Sequence, residues 1–262
     1  RSLLKAGYHV SGVTLRLADP YIKDRGKQYR VLERAKNVCD HFGIEHIVAD
    51  RTEKFQTCVV EEFADAYFSG STPNPCVECN RHLKWQAILQ IADERNIPFI
   101  ATGHYARIKR QGRSRRLLKG RDVFKDQSYF LWRLDRQQLS RTLFPLGDLT
   151  KKEVRAIAVD LNVPQDGNTE SQDVCFIPDE DYKAFLKEFF PQRVANIGRG
   201  EFVDRSGNVL GFHNGFYRFT VGQRRGLGVA AGEPLYVLEI KPATNTVVLG
   251  SRMDTEYLGC IL

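Results

Sequence analysis

The sequence predicts an α/β fold, a parallel sheet with helices on both faces, followed by a small β-rich domain. Three observations predict it. Strand-like and helix-like patterns alternate from Tyr8 to Tyr105. The last of these strands, 99–105, runs into Gly103-His104, and such sheets hold their ligands at the carboxyl ends of strands. From about Ile197 the texture changes to short β-rich runs broken by Gly and Asn.

Each element has its own signal. Residues 8–15 read as a strand, 29–42 as a helix stopped by Gly43, 45–49 as a second strand and 53–68 as a second helix. A cysteine-bearing loop and a helix over 81–95 come next. Lys109, Arg110, Arg113, Arg115 and Arg116 surround Gly112 between apolar flanks, which predicts a basic hairpin. Residues 134–161 read as mostly helical, with a capped start at Thr150 and Glu three positions on. A short amphipathic helix over 181–190 is expected to end at Pro191. Strands at 200–203, 208–211, 235–240 and 246–249 then predict an antiparallel second domain. The expected division is 1–190, 191–250, and 251–262 as the start of a further barrel.

The 262 residues suffice for one large domain and one small one. No apolar run approaches the ~18–20 residues that cross a bilayer, so no membrane role is expected. A net charge of +7, from 39 basic and 32 acidic residues, is compatible with a polyanionic partner such as RNA. Residues 1–7 read as the end of a helix running into a Gly stop, so a chain cut at its start is expected. The six cysteines are spaced unlike a secreted disulfide framework, and a reducing cytoplasm is the expected location. Cys39 and Cys58 lie in helical apolar patterns and read as small buried hydrophobes, while Cys260 falls in an apolar tail.

Cys76 and Cys79 are different. They follow Pro73-Asn74-Pro75, one helical turn apart, with Cys175 far downstream. A thiol at a helix N-terminus feels the positive end of the macrodipole, which predicts a lowered pKa and a reactive thiolate. Three chemistries compete. A redox dithiol is one. A zinc site completed by Cys175 and His82 or His104 is another. An iron–sulfur cluster on three cysteines with one open iron position is the third.

Six blocks in order narrow the choice: 72–80 (Thr-Pro-Asn-Pro to Cys-Asn), 101–105 (Ala-Thr-Gly-His-Tyr), 125–131 (Lys-Asp-Gln-Ser-Tyr-Phe-Leu), 144–147 (Phe-Pro-Leu-Gly), 173–177 (Asp-Val-Cys-Phe-Ile) and 222–228 (Gly-Gln-Arg-Arg-Gly-Leu-Gly). Together they resemble the tRNA-specific 2-thiouridylases over nearly the whole chain. The resemblance implies an adenine-nucleotide α-hydrolase-like, Rossmann-like domain of the ATP-pyrophosphatase type. It implies that ATP, with Mg2+, adenylates the wobble uridine of tRNA before sulfur displaces AMP. It makes Cys79 the attacking cysteine and Cys175 the persulfide acceptor of a relay from a cysteine desulfurase. By the same resemblance Asn74, Pro75 and Cys76 meet the target base, Leu15 and Gly103 meet ATP, and His104, Lys125, Asp126 and Gln127 meet tRNA.

Two departures matter. The family's Ser-Gly-Gly-x-Asp-Ser phosphate loop is absent from these residues, and many members carry Asp where Cys76 stands. Cys76 creates the Cys-x-x-Cys pair and motivates a [4Fe–4S] cluster on Cys76, Cys79 and Cys175. The persulfide route, with a Cys79–Cys175 disulfide at its end, is the alternative. Rival readings are a zinc-stabilised RNA-binding module without catalysis and an adenylating synthetase for a small molecule. Tyr129, Phe130, Leu131 and Trp132 read as core side chains.

Overall fold

The computed structural model describes residues 2–21, 25–112, 114–164, 174–177 and 181–255. Cys260, Arg113, residue 173 of the fifth block and residues 256–262 of the expected third domain lie outside them. Two compact units emerge: residues 1–59 with 75–176, and residues 60–74 with 177–262.

In the first unit, α1 (Ser2–Lys5) and β1 (Gly12–Arg16) are followed by α2 (Arg25–Phe42), β2 (His46–Asp50) and the start of a helix over 52–68, α3, whose residues from 60 on belong to the second unit. The helix over 75–94, α4, leads to β3 (Ile100–Ala101), then β4 (Ala106–Gln111) and β5 (Ser114–Lys119). α5 (Arg136–Ser140), β6 (Thr142–Leu143) and α6 (Lys151–Asp160) complete this unit. Parallel pairing is present as expected, in two pairs: β1 with β2 and β3 with β6. The expected strand at 99–105 is only two residues long, and the expected helical run at 134–161 is broken by β6. Arg141 explains the break. Its side chain bonds the carbonyls of Pro98 and Ile97, pulling the chain alongside β3.

The core of this unit gathers Trp85, Ala92, Ile100, Ala106, Leu131, Leu134 and Leu139. Trp85 is fully buried, and its indole N–H donates to Thr142 Oγ1 at 2.8 Å. Thr142 in turn donates to the Gln138 carbonyl at 2.7 Å, so no polar group in this chain of bonds is wasted. The predicted cap of α6 is a full capping box between Thr150 and Glu153, worth about 1 kcal/mol. An apolar cavity of about 250 Å3 lies between the two strand pairs, lined by Val10, Gly12 and Val13 on one side and Ile91, Ile100 and Leu143 on the other.

In the second unit, α7 (Tyr182–Phe189) and α8 (Pro191–Ile197) precede β7 (Gly200–Val203), β8 (Val209–His213), β9 (Tyr236–Lys241), β10 (Thr246–Gly250) and α9 (Arg252–Thr255). The strands form one sheet in the order β8-β7-β10-β9. It is mixed and not purely antiparallel, because β7 and β10 pair in parallel. Pro191 does end α7, but it also opens α8 at the first helical position, where its missing N–H costs nothing. The aromatic residues of the last turns of α3, Phe63, Tyr67 and Phe68, pack on Phe185, Tyr182 and Phe190.

Candidate active site

The site is built on α4, which is not a uniform helix. It runs as α-helix over Pro75–Glu78, as π-helix over Cys79–Lys84 and as α-helix again over Trp85–Glu94. Cys76 and Cys79, three apart, share one face. In an α-helix Lys84, five residues beyond Cys79, would sit about 140° away around the axis. A π turn closes each residue on its fifth neighbour and swings Lys84 back over Cys79. Glu78, ion-paired with Arg133 and facing His82, and Gln138, which donates to the Arg81 carbonyl, pin the helix at this turn.

Cys175 arrives from a distant stretch of chain. Its neighbour Phe176 is 2% exposed and packs edge-on against Tyr21 and Phe55. That anchor holds the cysteine in the first unit. Cys79 is buried, Cys76 half-buried and Cys175 exposed. All five described cysteines are free thiols.

Burial pushes the Cys79 thiol up to about 12, with Lys84 pulling the other way and Cys175 and Cys76 adding to the rise. Burial likewise raises Cys76, against Lys84. Burial raises Cys175 too, again against Lys84 and with Cys76 adding to it. The three sulfurs and the Lys84 ammonium share one electrostatic neighbourhood. Lys84 forms no ion pair among the described residues, so its charge is not neutralised by a carboxylate.

The expectation of a thiolate made by the helix dipole is corrected here. A dipole contributes up to about 1 kcal/mol at a helix start. A rise from 9.0 to about 12 corresponds to about 4 kcal/mol against ionisation. Desolvation wins, and the resting thiols are protonated.

Among the described residues no three His, Cys, Asp or Glu side chains stand close enough together to hold a metal ion. The two histidines considered as zinc ligands are engaged elsewhere. His82 faces Glu78 at 3.4 Å, and His104 shares a hydrogen bond with Thr102 at 2.9 Å.

Asn74, Pro75 and Cys76 are consecutive at the start of α4, with Pro75 buried. Leu15 lies near the carboxyl end of β1, and Gly103 two residues past β3. Gly103 is exposed, and a Cβ there would meet only Leu146, at an ordinary 3.7 Å, so packing does not demand glycine. His104 is held to about 4 by burial and, second, by Lys84, so it is neutral at pH 7.

In the 125–127 segment the side chains divide. Asp126 accepts from the Gly120 and Ser128 N–H groups and from the Ser128 hydroxyl. Gln127 Oε1 accepts the Tyr105 N–H at 2.9 Å. Both side chains are spent on shaping the loop. The expectation that Tyr129 and Trp132 belong to the core fails: they are 59% and 64% exposed, while Leu131 alone of the four is fully inside.

Sequence reasoning missed Lys84 and Asn80. Lys84 would have needed knowledge of the π turn. Asn80 is buried beside Cys79, donates to the Phe130 carbonyl at 3.0 Å and leaves its Oδ1 without a partner among the described residues.

Comparison with known proteins adds the last facts. Residues 1–179 match the family model "tRNA methyl transferase HUP domain", and residues 183–251 match "tRNA methyl transferase PRC-barrel domain". The tRNA-specific 2-thiouridylase MnmA 1 of Caldanaerobacter subterraneus subsp. tengcongensis is 45% identical over 260 residues, which is 96% of this chain and 71% of that protein. The tRNA-specific 2-thiouridylase MnmA of Carboxydothermus hydrogenoformans is 43% identical over 267 residues, 99% of this chain and 72% of that protein. The tRNA-specific 2-thiouridylase MnmA 2 of Syntrophus aciditrophicus is 47% identical over 231 residues, 87% of this chain and 67% of that protein.

Proposed function

Because the chain belongs to the tRNA-specific 2-thiouridylase family, we propose that it is a tRNA sulfurtransferase acting on the wobble uridine through Cys79 and Cys175. The observation that carries this reading is the convergence of three thiols and one unneutralised ammonium at a π turn. The family models speak of methyl transfer and the relatives' names of thiolation. A site of thiols favours sulfur as the transferred group.

Uridine O2 attacks the α-phosphorus of ATP and pyrophosphate leaves, which makes O2 part of an AMP leaving group. A donor protein of the desulfurase relay places one sulfur on Cys175 as a persulfide. The Cys79 thiolate attacks the inner sulfur of that persulfide, forming a Cys79–Cys175 disulfide and releasing hydrosulfide. Hydrosulfide adds to C2, AMP departs, and an external dithiol supplies the two electrons that reduce the disulfide.

This chain's residues support particular parts. Lys84 favours the thiolate of Cys79 and the anionic sulfur it releases. Asn80 Oδ1 is a buried acceptor beside Cys79, suited to an N–H of the extruded base. Neutral His104 offers a hydrogen bond and a ring face to RNA, not a charge. Leu15 and the bare backbone of Gly103 suit the nucleoside half of ATP. The cavity between the two strand pairs has no Lys or Arg in its lining. A second reading, a [4Fe–4S] cluster on Cys76, Cys79 and Cys175, draws on the same shared neighbourhood. Its three sulfurs would have to draw closer than they stand, and no step is routed through it.

The test uses protein carrying these residues, unmodified tRNA, ATP and a persulfide donor. 2-Thiouridine is read by mass spectrometry and the nucleotide product by chromatography. AMP together with thiolation is expected, as is loss of thiolation with retained tRNA binding in Cys79→Ser and Cys175→Ser. ADP as the product would reject adenylation, and thiolation by either variant would reject that cysteine's role. Iron and acid-labile sulfide after anaerobic purification would favour the cluster.

A further inference from the structure

We propose that the β4–β5 hairpin is an RNA-phosphate grip of this protein, outside the thiol site. The proposal rests on the tRNA reading above and adds the surface that would hold the nucleic acid.

The pairing register carries it. Lys109 stands directly opposite Arg116, and Arg110 directly opposite Arg115. Directly opposed residues share a face of a two-stranded ribbon. One cationic pair therefore lies on each face. Like charges in that position destabilise the ribbon by about 0.2–1 kcal/mol a pair. Cross-strand packing alone would not select them.

The ribbon carries no counter-charge of its own. Residues 106–121 contain eight Lys and Arg and no Asp or Glu. The ribbon's own +8 exceeds the +7 of the whole chain, and the remainder sums to −1. The basic excess is therefore a local feature and not a general surface charge. Among the described residues, Lys109, Arg115 and Arg116 have no carboxylate partner. Among the same residues, Arg107 meets Asp148 at 3.5 Å, Arg121 meets Glu153 at 3.3 Å, and Arg110 bonds the Gly112 carbonyl.

The ribbon is also built to be rigid at its root. Ala106 is part of the core, and Ile108 and Leu117 pack against it. Below the outer half, a hollow of about 280 Å3 is lined by Arg107, Arg110 and Arg115, with Asp148 its one carboxylate. A repeating anion of fixed spacing relieves the repulsion on both faces at once. A nucleic-acid backbone offers that, and neutralised phosphates release counterions on binding.

The experiment compares wild type with K109Q/R110Q/R115Q/R116Q for binding to unmodified tRNA across about 50–300 mM salt, with thermal melting of both proteins. The slope of log affinity against log salt is expected to fall by about 3–4 in the variant. Affinity is expected to drop at least about tenfold at the low-salt end. The melting temperature should hold or rise, because repulsion is removed. An unchanged slope and affinity would overturn the hairpin's role while leaving the tRNA reading intact. No tRNA binding by wild type would instead sink the tRNA reading. Vesicles of phosphatidylserine form a third arm. Hairpin-dependent binding to vesicles without binding to tRNA would overturn RNA as the occupant.

Discussion

Alkylation of Cys79 should keep accelerating with pH well beyond the range in which an ordinary thiol levels off. Its pKa rises from the usual 9.0 to about 12. Three units lower the thiolate fraction about 1000-fold at pH 8, while the greater nucleophilicity of the more basic sulfur returns about 20–30-fold. The net slowing is about 30–50-fold against an unburied thiol, before any loss of access. Peptide-resolved mass spectrometry with iodoacetamide between pH 7 and 10.5 separates Cys79 from the other cysteines. The rate should climb about tenfold per pH unit throughout. A thiol held up by burial also costs the fold stability as pH rises from 9 toward 12, so circular dichroism must show the protein folded at each point. Lys84→Met removes the one cation that opposes the rise, and should slow the reaction at every pH. A plateau near pH 9 in folded protein would refute the burial reasoning, and an unchanged rate in Lys84→Met would refute the role given to the π turn.

Gly147→Ala places a Cβ 2.0 Å from the Ala106 carbonyl oxygen and 2.9 Å from Arg107 Cγ, so the start of β4 must move. A loss of about 2–3 kcal/mol is expected from urea midpoints, and less than about 0.5 kcal/mol would show that the strand yields freely. His104, held to about 4 when folded, is neutral where the unfolded chain takes up a proton. Stability should fall by up to about 3 kcal/mol as pH drops from 6.5 to 4, and His104→Gln should flatten that dependence in urea titrations at pH 7 and 4.5. Equal slopes for both proteins would dismiss the effect.

What could be read in the sequence was set by local signals. The β7 to β10 runs, the Thr150 cap and the basic hairpin follow from side-chain alternation, capping chemistry and a central glycine. The site cysteines stood out by spacing alone. Misreadings came where distant residues decide. β6 interrupts an apparently helical stretch because Arg141 ties it to Pro98 and Ile97. Tyr129 and Trp132 look like core by composition, yet only Leu131 of that run turns inward. Cys58, expected inside, is half-buried, whereas Cys39 is 5% exposed as expected. The pKa direction of the thiols was wrong because burial is a tertiary quantity. The glycine at 147 looked like a motif letter, but its reason is steric contact with β4.

If sulfur travels by the proposed persulfide route, a spare thiol has to be kept mute. Cys39 shows how this chain does so. Its sulfur would lie 2.4 Å from a Cβ at Gly12, so the missing side chain on the strand is the hollow that receives it. Sealed there, and with burial raising its pKa, the sulfur offers neither access nor charge to a passing persulfide. Any larger residue at position 12 would press on Cys39, and on that route a thiol freed there would compete with Cys175 for sulfur.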